Sequence, residues 1–272
     1  MAKECVTTVI RFHDIEKVAL LERAIQSLHA QADVLVQPVI VAQRFTLDQM
    51  RQLDAAVRRQ WYFDGLPEPQ ILNFTDPGDF DARSMLLNHG IARHLELDNR
   101  YLAFLDYDDL LYTHAYRTLT KALRSSGAVI AFATVELAKV ISLKDYEFVY
   151  SLSTPYTGRN KIDLIKDNFC PLHSYVVDTS KLRPDELYFQ KELVRVEDYD
   201  FLLRIAGRHP CDFSNIGTRI GLYMMRTDGT NSTPGGMGSV TERETGTAWK
   251  DSINRLNGLR PEYEIKFFAS DF

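Results

Sequence analysis

A chain of 272 residues, 45% of them hydrophobic, can bury a sizeable core as one large domain or two small ones. Its formal net charge of −5 argues against a general nucleic-acid surface, because polyanion binding depends on clustered Lys and Arg releasing counterions. Cys5, Cys170 and Cys211 stand far apart without CxxC spacing, so neither a disulfide framework nor a zinc site is indicated and a reducing, cytoplasmic setting fits best.

The opening MAKECVTTVIRFHD lacks a signal-peptide apolar region, and no apolar run approaches the ~18 residues that span a bilayer, so any membrane association is expected to be peripheral. Residues 5–12 are β-branched and apolar, 15–31 carry apolar residues at helical spacing (Val18, Leu21, Ile25, Leu28), and 34–42 are apolar again. That pattern predicts a strand, a crossover helix and a parallel strand. A second helix is predicted over 46–60, a short strand over 70–74, a helix over 81–95 and a strand over 101–105. Repeated β-α units with short connections favour a mostly parallel sheet flanked by helices.

In such sheets ligands bind beyond the carboxyl ends of the strands. Arg11, His13 and Asp14, then Gln43 and Arg44, then Thr75 and Asp76, then Asp106 and Asp108 each follow a predicted strand, so they should gather along one cleft.

Beyond His114 the pattern loosens. A helix is predicted over 115–125, strands over 128–137, 145–149 and 169–177, and an irregular polar stretch over 151–166. A helix over 197–207 begins with Glu197 and Asp198, acids that suit a helix N-terminus. Residues 227–246, which include Gly235, Gly236 and Gly238, show no apolar period and read as a mobile loop, either a surface excursion or a lid.

Two stretches carry the chemistry. YLAFLDYDDLLY at 101–112 sets Asp106, Asp108 and Asp109 directly after an apolar run, which is how a buried strand delivers acids to the rim of a sheet. RVEDYDFLLR at 195–204 sets Glu197 and Asp198 before a helix, so a further carboxylate can enter the same cleft from another element. The first suits a divalent cation and phosphate, the second a proton transfer. Taken alone, acids after a strand also suit an exposed turn or a cap, and acids before a helix also suit its N-terminus.

The order of these features resembles an inverting family-2 glycosyltransferase of the GT-A fold, on the stretches TTVIRFHD, LERAIQSLHAQ, ARSMLLNHGI, YLAFLDYDDLLY and RVEDYDFLLRIA. The likeness runs to about Gly207. It implies a nucleotide-sugar-binding α/β half at 1–112 and an acceptor-binding half at 113–272. It implies that Asp106, Tyr107 and Asp108 form the DxD element, with Asp108 on Mn²⁺ or Mg²⁺ and Asp106 nearer the sugar-nucleotide, and that Asp198 is the catalytic base. Arg11 and Asp14 would lie near the base and ribose of the donor, and Arg83 with Asn88 near its sugar or diphosphate.

The implied donor is a UDP-sugar and the implied acceptor a glycan or lipid-linked glycan, with no nucleic acid. Glu197 is a further acceptor-side candidate. His173 would contact an acceptor, complete the metal site or serve the core, and Trp249 would stack on a sugar or anchor the returning chain. Relatives of this fold commonly add a histidine ligand from the C-terminal region, whereas no histidine follows His209 here. A phosphatase of the haloacid-dehalogenase type also sets acids after a strand, but Leu110 stands where its usual Thr or Val, two positions beyond the second Asp, would be. A non-catalytic sugar-nucleotide or glycan-binding module on the same fold is the alternative, since folds do not fix activity.

Overall fold

The computed structural model describes residues 3–62, 65–78, 82–143, 146–226 and 240–271. The first half follows the pattern: β1 (Lys3–Phe12), α1 (Val18–His29), β2 (Leu35–Gln43), α2 (Leu47–Gln60), β3 (Gln70–Phe74), α3 (Arg83–Leu97) and β4 (Asn99–Phe104). Strand β1 pairs with β2 and β4, and β2 with β3, all in parallel, as helical crossovers require. Local chemistry fixes the helix starts. The Asp14 carboxylate accepts from Glu16 N at 3.1 Å to open a short 3-10 turn before α1, and Thr46 with Gln49 forms a capping box on α2.

The second half adds β5 (Leu110–Leu111), α4 (Ala115–Ser126), β6 (Ile130–Ser142), β7 (Glu147–Ser153), α5 (Lys161–Lys166), β8 (Tyr175–Asp178), α6 (Glu197–Arg208), β9 (Cys211–Arg226) and α7 (Val240–Leu259). Among the described residues one nine-stranded sheet runs through both halves in the order β3-β2-β1-β4-β8-β6-β9-β5, with β7 also on β6. The expected parallel sheet therefore ends at β4. Strand β8 enters between β4 and β6 antiparallel to both, β7 and β5 add antiparallel pairs, and β9 returns parallel to β6.

The loop expected over 227–246 does not hold for the whole of that stretch. Residues 240–246 belong to α7, which starts at Val240: a stretch without an apolar period is still compatible with a helix, since Glu and Arg have good helix propensity. Residues 227–239 lie outside the described residues. The irregular stretch likewise contains α5, started by the Asn160 side chain accepting from Asp163 N.

Both faces of the sheet are covered. Val9, Phe104, Phe132, Phe189 and Phe201 pack on the α3 and α6 side, and Ile10, Ile25, Leu53 and Tyr116 on the α1, α2 and α4 side. Alternation along β1 sends Val9 to one layer and Ile10 to the other, which is why the strand reads as continuously apolar. Burial of each large side chain contributes about 1.5–3 kcal/mol, so the strand ends that carry the polar cleft rest on a rigid platform. Among the described residues no helix is long and apolar enough to cross a membrane.

Candidate active site

Strand β4 ends at Phe104, and two residues later the chain turns at Asp106, with Asp109 N donating to Asp106 O at 3.0 Å. That turn is fastened from three directions. Arg11, near the end of the neighbouring β1, donates from Nε to Asp106 Oδ1 at 2.8 Å and from Nη2 to Oδ2 at 3.4 Å. Tyr107 is buried, its ring edge-on to Phe12 and His13 at 5.3 and 5.5 Å. Asp109 points inward, where its Oδ1 accepts from Met224 N at 2.8 Å and its Oδ2 lies 3.3 Å from His173 Nδ1.

The second acidic stretch reaches the same place. Arg11 Nη1 donates to Glu197 Oε1 at 2.8 Å, so one guanidinium joins the turn after β4 to the first turn of α6. Burial alone would lower the Arg11 pKa, but the flanking Asp106 and Glu197 charges outweigh it and raise it well above its usual value. In return Arg11 more than offsets the effect of burial on Asp106, whose pKa is held below the ordinary carboxylate range.

Asp198 follows Glu197 and is half-buried. Its Oδ1 accepts from Tyr199 N at 2.8 Å, and Asn168 Nδ2 approaches Oδ2 at 3.4 Å. Burial, and then the charge of Glu197, push its pKa up to about 6. The residue before the pair, Val196, has φ 57 and ψ 19, a left-handed conformation that costs a β-branched residue roughly 1–3 kcal/mol and often marks functional sites. Asp200, the third acid of the stretch, faces the core instead. It accepts from Arg204 Nε at 2.9 Å and from the Tyr263 hydroxyl, tying α6 to the C-terminal segment.

Asp108 occupies the rim, where Arg226, the last residue of β9, donates from Nη1 to its Oδ2 at 2.7 Å. Arg226 is itself held by Glu147 at the start of β7, Nε to Oε1 at 2.7 Å, and Glu147 is paired in turn with Arg23 of α1. Burial and the crowding of like charges push Asp108 above the usual carboxylate range, and Asp109 well above it. Among the described residues no group of three His, Cys, Asp or Glu side chains is arranged to hold a metal ion. Asp106 and Asp108 nonetheless offer hard oxygen donors in a spot crowded with negative charge. They fit Mg²⁺ or Mn²⁺ whose shell is completed by phosphate oxygens and water.

The remaining candidates divide. The Arg83 charge acts on both Asp106 and His13, which puts it on the cleft side at the start of α3. Asp14 stands at the exit of β1, half-buried, and caps the turn there. Asn88 has a different occupation, since its Nδ2 donates to Phe189 O at 2.8 Å and its Oδ1 accepts from Phe189 N at 2.7 Å, clamping a backbone rather than facing the cleft with an open amide. His173 is fully buried beside Asp109, and burial lowers its pKa to about 4, so it is neutral. Trp249 packs against the core cluster that contains Phe189 and Phe201. Arg226, Glu147 and Asn168 were missed by motif reasoning because each belongs to a stretch with no recognisable signature, and only tertiary pairing brings them to the acids.

No family model matches the chain, and no curated protein matches it either. Solved structures do. S. aureus TarS, residues 1–349 in complex with UDP, is similar with a TM-score of 0.57 at 11% identity, over 92% of this chain and 71% of that one. The same TarS fragment in complex with UDP-GlcNAc gives a TM-score of 0.56 at 12% identity, covering 92% and 72%. The mannosyltransferase PcManGT from Pyrobaculum calidifontis, in complex with GDP-Man and Mn²⁺, gives 0.56 at 13% identity, covering 82% of this chain and 58% of that one. At such identities the likeness is one of architecture, and the architecture is GT-A-like: a large central sheet flanked by helices, with the acids at the carboxyl ends of its strands.

Proposed function

We propose that this chain is an inverting glycosyltransferase that moves a sugar from a nucleoside-diphosphate donor, a UDP-sugar by preference, to a hydroxyl of a glycan or lipid-linked glycan. The observation that carries the reading is the Arg11 guanidinium bonded at once to Asp106 and Glu197, which brings the two acidic stretches into one cleft. UDP and UDP-GlcNAc in TarS, and GDP-Man in the mannosyltransferase, support a nucleotide-sugar ligand. Residues 1–112 chiefly serve the donor and 113–272 chiefly the acceptor.

The reaction asks for a proton acceptor on the hydroxyl side and for charge stabilisation on the diphosphate side. Asp198 takes the first role. A carboxylate whose pKa is raised to about 6 is still ionised at neutral pH yet is a better proton acceptor than an ordinary one. Asn168 and the Tyr199 N–H restrain its two oxygens. Asp108, with Asp106, would hold Mg²⁺ or Mn²⁺, which when bound neutralises charge on the departing diphosphate. Arg11 keeps Asp106 ionised and ties the acidic turn to the first turn of α6, which holds the segment bearing Asp198 at a fixed distance from it and supports a single displacement in which acid and base take separate roles. Arg83 adds positive charge on the donor side.

The three cysteines are free and buried, which suits a reducing, cytoplasmic setting. Incubation with UDP-sugars and Mn²⁺ tests the proposal: slow release of UDP without acceptor, lost in Asp198→Asn, supports a transferase. Binding without turnover would instead make the chain a sugar-nucleotide-binding module, and absence of both binding and turnover would sink the reading.

A further inference from the structure

The pairing of Arg226 with Asp108 has no counterpart in the motifs. Arg226 ends β9, on the far side of the sheet from β1, and its guanidinium is nearly buried, with side-chain exposure of 5%. A buried guanidinium needs counter-charges and a geometry that holds it. Glu147 supplies both: its Oε1 accepts from Nε at 2.7 Å and its Oε2 lies 3.4 Å from Nη2, a two-point contact along one edge. Glu147 is in turn paired with Arg23, so elements α1, β7 and β9 together aim the guanidinium at the acidic rim.

Surface charge alone does not account for that construction. Arg226 extends Nη1 to within 2.7 Å of Asp108 Oδ2, at the place where the turn after β4 opens to the cleft. A diphosphate arriving at Asp106 and Asp108 brings further negative charge to a rim that already carries these two acids. A planar guanidinium held in place beside that rim matches phosphate oxygens in both charge and geometry.

We infer that Arg226 is a phosphate-binding residue of the donor site, positioned by Glu147 to contact the diphosphate beside Asp108. The inference rests on the reading of the cleft as a nucleoside-diphosphate site and adds to it a residue from the last strand.

Calorimetry at saturating Mn²⁺, with UDP and with uridine as ligands, separates the possibilities. Arg226→Gln should weaken UDP binding by about tenfold to a hundredfold while leaving uridine binding unchanged, because a charge-assisted contact to phosphate is lost and the base contacts are not. Glu147→Gln, which leaves the guanidinium present but less firmly held, should weaken UDP binding in the same direction by less. Arg226→Lys keeps the charge without the fork and should fall between wild type and Arg226→Gln. UDP binding by a folded Arg226→Gln equal to wild type, or equal losses for UDP and uridine, would overturn the assignment. Should Arg226→Gln fail to fold, wild-type UDP affinity in Glu147→Gln and Arg226→Lys alike would overturn it. Wild-type protein that binds neither UDP nor GDP would instead remove the nucleotide reading itself, a result distinguishable from failure of Arg226 alone.

Discussion

Arg11 and Glu197 lie 186 residues apart and meet through a 2.8 Å hydrogen bond between Nη1 and Oε1. The contact makes Glu197 part of the electrostatic setting of its neighbour, because the Glu197 charge helps to lift the Asp198 pKa while Arg11 pulls it down. On the proposed reading of Asp198 as the base, Glu197 is therefore a control on it.

Glu197→Gln should shift the acidic limb of the transfer rate. With burial as the larger cause and Glu197 as the second, Asp198 is raised to about 6, so wild-type kcat/KM should fall about tenfold per pH unit below about pH 6 as the base protonates. Removal of the Glu197 charge lowers the base pKa, and the limb moves to lower pH. A pH–rate profile decides. A limb that stays in place, or moves upward, separates Asp198 from the base role or Glu197 from its control.

Asp198→Asn should abolish transfer, by about 10²–10⁴-fold as expected for loss of a general base, while UDP binding survives. The same change should stabilise the protein. The folded-state pKa of about 6 lies above the ordinary aspartate value near 3.9, so between those values the folded state binds more protons than the unfolded state. Stability is lost as pH rises through that window and stays lost above it. Asparagine carries no such deficit. At pH 8, after allowance for the partial exposure of Asp198, the variant should gain about 1–2 kcal/mol in urea melts, and at pH 4 the gain should nearly vanish. An Asp198→Asn protein less stable than wild type at pH 8 would contradict the raised pKa.

Asp108→Ala should weaken UDP binding in Mn²⁺ by about tenfold or more, and the metal dependence of that binding should shrink with it. The variant also leaves the buried Arg226 with one fewer carboxylate, so melting should shift downward. Calorimetry with UDP across Mn²⁺ concentrations reads both ligands. Unchanged metal-dependent affinity would remove Asp108 from the site.

Strands β1, β2 and β4 were legible because each is buried on both faces and therefore reads as an apolar run, and because Asp106 and Asp108 follow such a run immediately, whereas β3 is a half-buried edge strand. Asp198 was legible for the same local reason, as an acid opening an amphipathic helix. Strand β9 was not. Its sequence, CDFSNIGTRIGLYMMR, mixes buried and exposed positions without alternation and contains Gly217 and Gly221, because its pairing with β6 shifts register more than once. With β9 hidden, Arg226 had no position, and the partner of Asp108 could not be read. Asn88 shows the opposite limit: helix position alone does not distinguish an amide facing a ligand from one clamping Phe189.

Gly221 offers a way to disturb the acidic turn without touching an acid. It pairs with Leu111 across the β5–β9 ladder, and a Cβ built on it would lie 2.4 Å from the Leu110 carbonyl oxygen and 3.2 Å from a Leu111 methyl. A backbone carbonyl cannot rotate away as the end of a side chain can, so Gly221→Ala must push β5 off β9. The two residues displaced follow Asp108 and Asp109 directly, and Asp109 is bonded to Met224 N on the same strand. The substitution should cost about 1–3 kcal/mol in urea melts and weaken UDP binding as the turn shifts. Gly217, also in β9, has nothing within 4 Å of an added Cβ, so Gly217→Ala should leave stability within about 0.5 kcal/mol and UDP binding intact. If Gly221→Ala were destabilised yet bound UDP at wild-type affinity, the turn after β4 would be mechanically independent of the last strand, and the path from β9 to the acids would carry no weight.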